Sequence, residues 1–255
     1  MHNERGLQWR VFLLAVGILM SCIGGASAAD LRVLAGGAMV GIWDELKPLF
    51  ESATGHKIEL FFGTTPNLIK ETNTGVAFDV GLVPTEVMAD PMARSKFASS
   101  PPIDIASVGL GVAVRAGSAK PKLATSSELR TALLEARSIA TIPESAAGYS
   151  IMRAFKKLGI AEDLKPKIKV QLNPAGIVRA VASGEADLGI FLTNVLVAPG
   201  LDIAGPFPAD VQEVVVFTAS PSATPRNAAA AAQLMEFLVS PKTKAIIAAR
   251  GMTPM

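Results

Sequence analysis

Thiol chemistry has almost nowhere to reside in this chain of 255 residues, whose one cysteine is Cys22. Internal disulfides are excluded, as are metal sites built on several thiolates, and if the leader described below is removed no cysteine nucleophile remains. Histidine is nearly as scarce: beyond His2 only His56 occurs, in a Thr-Gly-His-Lys turn that reads as a solvated loop. No metal site and no cofactor is expected. Lysine and arginine form no run and do not interleave with aromatics, so nucleic acid is not an expected partner. Low-complexity tracts are missing too, apart from Ala228 to Ala232, which reads as helix.

Past the N-terminus no apolar run is long enough to span a membrane. The N-terminal run reads as a secretory leader, residues 1 to 28, and not as structure. Arg5 and Arg10 form its basic region, Val11 to Met20 is apolar except for Gly17, and Ala26-Ser27-Ala28 is a small-residue cleavage site. The protein is therefore expected in the periplasm, starting near Ala29. Lipid anchoring at Cys22 is disfavoured, because Met20 fits a lipobox poorly. Removing Arg5, Arg10 and Glu4 with the leader takes the formal charge from +2 to +1. What is present in quantity is apolar material. It makes up 50% of the composition, and about 227 residues after the leader can bury a full core without staples.

From Asp30 the pattern alternates strand and helix. Leu31 to Leu34 reads as a strand, Ala35-Gly36-Gly37-Ala38 as a glycine loop, and Val40 to Ser52 as a helix with apolar Ile42, Trp43, Leu46, Leu49 and Phe50 on one face. Strand Ile58 to Phe62 runs into Gly63-Thr64-Thr65-Pro66, where Thr65 is a good N-cap and Pro66 suits the first helical position. Such a turn presents unsatisfied N–H groups and the positive end of a helix, a seat for an anion. Phe78 to Val83 reads as a third strand, and Val108 to Arg115 as a fourth.

The device recurs further on. Strand Ser138 to Ile142 leads through Glu144-Ser145-Ala146-Ala147-Gly148 into helix Tyr149 to Leu158, and strand Ile168 to Leu172 leads through Asn173-Pro174 into helix Ala175 to Ser183. Strand Asp187 to Leu192 follows, then strand Val211 to Thr218 and helices Ala228 to Leu238 and Pro241 to Ala249. The alternation implies an α/β fold of mostly parallel sheets flanked by helices. In such sheets a ligand lies at the carboxyl ends of the strands, where these loops fall. Two lobes are expected, residues 30 to 116 completed by 208 to 255, and residues 117 to 207, with two hinge crossovers between them.

Leu-Ala-Gly-Gly-Ala-Met (34–39), Phe-Gly-Thr-Thr-Pro-Asn-Leu (62–68), Phe-Asp-Val-Gly-Leu-Val (78–83), Ile-Val-Arg-Ala-Val-Ala-Ser-Gly-Glu-Ala-Asp-Leu-Gly-Ile (177–190) and Phe-Leu-Val-Ser-Pro-Lys-Thr-Lys-Ala-Ile (237–246) occur in the order and spacing of a known family. In this the chain resembles the molybdate-binding periplasmic proteins of ABC importers, over nearly its whole length beyond the leader. The resemblance implies the type II periplasmic-binding fold, a small anionic ligand held without metal, and an ABC permease in the inner membrane as partner; the mature protein is expected to be a monomer. It also implies ligand positions at Ala38 and Thr65, where the family has serines, and at Ala147 and Val178, whose backbone N–H groups donate. Leu192 falls where the family has a tyrosine. Ala38 and Leu192 have thus lost hydroxyls, which points away from a bare oxyanion and toward a small carboxylate whose carbons lie against Leu192 and Met39. Thr64, Ser145, Gly148 and Tyr149 are further candidate contacts, and Arg153 and Arg179 are candidate partners for a carboxylate.

An enzyme is the rival expectation. The Glu144 to Tyr149 turn is similar to that of aconitate isomerase, a periplasmic relative that interconverts two forms of a tricarboxylate. Proton abstraction would need a positioned acid or base, for which Glu144, Tyr149 or Asp79 could serve. No catalytic constellation stands out from the residues alone, so binding is expected and not catalysis.

Overall fold

The computed structural model describes residues 28–255. The expected leader and Cys22 lie outside that range, Ala28 excepted. Strand β1 (Asp30–Gly36) passes through a short 3-10 turn (Gly37–Met39) into helix α1 (Val40–Thr54), and β2 (Lys57–Gly63) follows. Helix α1 forms because Ile42, Trp43, Leu46 and Phe50 recur at helical spacing and are all buried against the sheet. It stops at Gly55, whose φ of 77° gives the left-handed cap that closes on Glu51 O. Helix α2 (Thr65–Asn73) and β3 (Val80–Pro84) complete the first run, and short helices α3 (Thr85–Ala89) and α4 (Pro91–Arg94) lead to the long strand β4 (Ile103–Arg115).

Beyond β4 come α5 (Ser126–Glu135), β5 (Ile139–Thr141), α6 (Ala146–Lys157), α7 (Ala161–Leu164), β6 (Ile168–Val170), α8 (Pro174–Ala182), β7 (Leu188–Leu192), α9 (Thr193–Leu196) and β8 (Leu201–Pro206). The chain returns through β9 (Val214–Pro221), α10 (Ala228–Leu238), α11 (Pro241–Ala249) and β10 (Thr253–Pro254). The strands run in the order β2-β1-β3-β9-β4-β7-β5-β6, with β8 and β10 also on β4. Pairings β1·β2, β1·β3, β5·β6 and β5·β7 are parallel, as the strand–helix alternation predicts. Every pairing of β4 and β9 is antiparallel, so the sheet as a whole is mixed.

Strand β4 belongs to two sections of this sheet. Its residues from Ile103 to Gly109 pair with β9, and those from Leu110 to Arg115 pair with β7 and β8. The chain therefore passes between sections in mid-strand and returns through Phe207 to Glu213. One side chain binds the two passages together: Gln212 Oε1 accepts from Leu110 N at 2.8 Å while Gln212 Nε2 donates to Leu110 O at 2.9 Å.

Register decides where the loops fall. In β1·β2 the pairs run from Asp30↔Lys57 to Gly36↔Gly63, so the Gly37 loop and the Thr64 loop leave the sheet side by side. In β5·β6, Thr141 faces Val170, which brings the Ser145 and Asn173 turns to one edge of the other section.

Two polar residues sit differently from expectation. His56 is not solvated but 2% exposed, its Nδ1 accepting from Ala29 N at 3.0 Å, with Nε2 3.1 Å from Gln233 Oε1. Since Nδ1 accepts, Nε2 carries the proton and donates to Gln233. Asp79 is fully buried, and its carboxylate accepts from the backbone N–H groups of Arg32 and Arg226 at 2.8 and 2.7 Å and from Arg226 Nη2 at 2.8 Å. With those lone pairs taken it fastens β1 to the chain before α10 and is not placed for catalysis.

Candidate functional site

Between the sections lies a cleft of about 760 Å³, lined among others by Gly37, Ala38, Val40, Phe62, Thr64 and Asn67 on one side and Asn173, Pro174, Val178, Asn194 and Val195 on the other. It shares Gly37, Ala38, Gly63, Thr64 and Pro174 with an adjoining inner chamber of about 30 Å³, which is also lined by the buried Thr65, Ala146, Ala147 and Leu192. The inner chamber has room for about two water molecules, the size of one small head group.

The first turns of α2, α6 and α8 all meet this space. In α6, Ser145 is the N-cap: its hydroxyl accepts from Gly148 N at 3.0 Å and gives its one hydrogen to Ile142 O at 2.8 Å. In α8, Asn173 Oδ1 caps Gly176 N at 2.9 Å. These caps leave the N–H groups of Ala147 and Ala175 without a partner among the described residues. Among the described residues no aspartate or glutamate lines either chamber, and Arg250 is the one charged residue that does. Among the described residues no group of three His, Cys, Asp or Glu could hold a metal ion, and no helix is long and apolar enough to cross a membrane.

Among the described residues, two hydrogen bonds join the loops that face each other across the cleft. Ala146 N donates to Thr65 Oγ1 at 3.0 Å, and Asn194 Nδ2 donates to Ala38 O at 2.8 Å. The first corrects the role expected of Thr65. Thr64 is the N-cap of α2, without a side-chain cap bond, and Thr65 is the first helical residue, so its hydroxyl serves the opposite helix and not its own. The hydrogen of that hydroxyl is still free to donate. Thr64 lines both chambers, and its hydroxyl makes no hydrogen bond among the described residues.

Of the other expected contacts, Ala38, Ala147, Val178 and Leu192 line one chamber or both. Ser145 does as well, but its hydrogen is spent on Ile142 and it has none to give an anion. Met39 is a correction: it is fully buried in the core with Leu46 and Trp43 and lines neither chamber. Gly148 is also removed from the cavity, and the reason for its glycine is steric: a Cβ there would stand 2.0 Å from Ile142 O and 2.3 Å from Pro143 O. Tyr149 is 40% exposed and lines neither chamber. Arg179 is exposed and outside both, and Arg153 is taken by Glu213, with its Nε 3.0 Å from Oε2.

The sequence reading missed Asn67, Asn194 and Arg250. Asn194 is the second residue of the four-residue helix α9, too short to show a periodic face, and Arg250 follows the last full helix with no motif around it. Asn67 is the third residue of α2, where neither a cap nor a proline singles it out.

Comparison with known proteins places this arrangement. The chain is 28% identical over 258 aligned positions to an aconitate isomerase of a Pseudomonas species, covering 96% of this chain and 97% of that one. It is 25% identical over 246 positions to the molybdate-binding protein ModA of Azotobacter vinelandii, covering 94% and 95%. The solved structure of the Azotobacter vinelandii periplasmic molybdate-binding protein matches with a TM-score of 0.74 at 24% identity, over 88% of this chain and 98% of that one, which shows the type II periplasmic-binding fold. Residues 31–253 match the sequence pattern of the family described as bacterial extracellular solute-binding protein, and the chain belongs to that family.

Proposed function

We propose that the protein closes two lobes, residues 30 to 116 with 208 to 255 and residues 117 to 207, on a small anion in the periplasm and passes it to an ABC permease of the inner membrane. The observation that carries this reading is the convergence of the first turns of α2, α6 and α8, from both sections, on a cleft without an acidic side chain. Helix N-termini offer unpaired N–H donors and partial positive charge, and three of them around one space favour an anion over a cation or a neutral solute. That the relatives are described by molybdate and by aconitate, both anions, supports it.

Size and lining favour a carboxylate with a carbon skeleton over a bare oxyanion. A cleft of about 760 Å³ is in the range of organic ligand sites. Its walls at Val40, Phe62 and Val178 suit carbon. A thermal-shift series on the mature protein tests the proposal, because binding to the native state alone raises the melting temperature with the logarithm of ligand concentration. Succinate, citrate and aconitate are expected to shift it more than molybdate or sulfate. No shift from any of them would overturn it.

A second reading, an isomerase acting on a tricarboxylate, is favoured by one observation, the full-length likeness to aconitate isomerase. Against it, Glu144 and Tyr149 line neither chamber, and Asp79 and His56 are held by other partners. An NMR assay of cis-aconitate with the protein separates the two: binding without conversion supports the carrier, and catalytic conversion establishes the enzyme.

A further inference from the structure

We propose that the ligand of this cleft is an elongated polyanion, with two or more acidic groups separated by carbon, and that Arg250 recognises its outer group. The inference rests on the reading that the cleft takes an anion, and specifies which kind. The inner chamber has room for one head group between Thr65, Ala146 and Ala147. The outer chamber is some twenty-five times larger, has apolar walls, and contains Arg250, which does not line the inner one. A group seated inside therefore leaves Arg250 to a second group farther along the same molecule.

The guanidinium is fixed for that purpose from one side only. Arg250 Nε donates to Glu45 Oε1 at 2.5 Å, and Nη1 lies 3.8 Å from the point where a Cβ on Gly41 would stand. Gly41 and Glu45 are four residues apart on α1 and so share a face, which gives the arginine a seat at the mouth of the cleft. Glu45 takes Nε, while Nη1 and Nη2 make no hydrogen bond among the described residues. Two free Nη groups in one plane match the two oxygens of a carboxylate, and a side chain 46% exposed stays within reach of an entering ligand. Asn194, which lines the same chamber, has a buried Oδ1 with no partner among the described residues, an acceptor for a hydroxyl or an undissociated acid on the same ligand.

Calorimetry on the wild type and on Arg250→Gln and Arg250→Lys, with citrate, tricarballylate, succinate, acetate and molybdate, tests this. The wild type should bind the polycarboxylates more tightly than acetate or molybdate. Arg250→Gln should weaken the polycarboxylates by about tenfold to a hundredfold, the loss expected of charge-assisted hydrogen bonds, and Arg250→Lys by less. Acetate and molybdate should stay within about fivefold, since they leave Arg250 unused and the Arg250–Glu45 pair is exposed. Melting temperatures of the unliganded variants show that each is folded. A uniform loss across all five ligands, or molybdate as the tightest, would overturn the inference while leaving an anion site standing. A wild type that binds none of them would overturn the anion reading and this inference with it.

Discussion

Thr64 and Thr65 are neighbours in one loop and serve opposite needs. Thr65 spends its oxygen on Ala146 N–H across the cleft and keeps its hydrogen, whereas the Thr64 hydroxyl has no partner among the described residues. Thr65→Val removes a donor from the inner chamber and leaves Ala146 N–H unsatisfied on closing. It should weaken every anion by about twofold to tenfold, the range of one net hydrogen bond, which calorimetry would show. Ala38 is 8% exposed and lines both chambers, so a serine there could donate to a bound anion. Ala38→Ser should raise molybdate affinity by about tenfold or more; an unchanged dissociation constant would show that the backbone donors already suffice. Restoring a tyrosine at Leu192 is a poorer test, because Leu192 is 2% exposed against a chamber of about 30 Å³ with no space for the ring. At this scale the sequence showed which loops face the site, since caps and prolines are local signals. It did not show that the Ser145 hydrogen is spent on Ile142, nor that Arg250 returns to the cleft, because both depend on contacts that no local pattern encodes.

Among the elements, α6 depends most narrowly on one residue. Its first turn passes so close to the preceding backbone that a Cβ at Gly148 would stand 2.0 Å from Ile142 O, a contact that backbone cannot yield without moving the turn. Gly148→Ala should therefore cost about 3 kcal/mol or more and lower the melting temperature by roughly 6 °C or more. It should also weaken anion binding, since the displaced turn carries Ala146 and Ala147. A variant with wild-type melting would disprove the close approach. Helices α10 and α11 were legible to the residue, because Asn227 and Ser240 cap them and Pro241 opens the second. Strand β8 was not foreseen. Leu201–Pro206 contains glycine and ends in proline, and it is a strand because β4 offers an open edge. The start of β4 was missed for the same reason, its first residues being held by β9 and not by their own alternation.

For the whole molecule, three carboxylates contribute to the response to acid. The Ile58 N–H, then the charges of Lys57 and Lys47, hold Glu51 below its ordinary 4.5; the Arg153 side chain does so for Glu213 and the Arg137 side chain holds Asp187 below 3.8. In each case the unfolded chain takes up the proton at higher pH than the native one. Their contribution is complete above these ordinary values and is lost as the pH falls through the lower native ones. Urea midpoints should therefore be flat on this account above about pH 5 and fall below about pH 4.5. Glu213→Gln should flatten that fall in part, and an unaltered profile would show that the Arg153 pair contributes nothing.

The double membership of β4 has a further consequence, for how the protein comes apart. Its amides are paired with β9 and β10 along one half and with β7 and β8 along the other, so neither section can lose its order without stripping partners from a strand the other still needs. The two lobes proposed to close on the ligand should nonetheless melt in a single cooperative step. The backbone N–H groups of Gly111 to Ala113, flanked by strands on both sides, should exchange with deuterated water only through global unfolding, among the slowest in the chain. The proposed hinge would then be among the most tightly held backbone of the molecule: motion there would be torsion of an intact strand, not the opening of a loose joint.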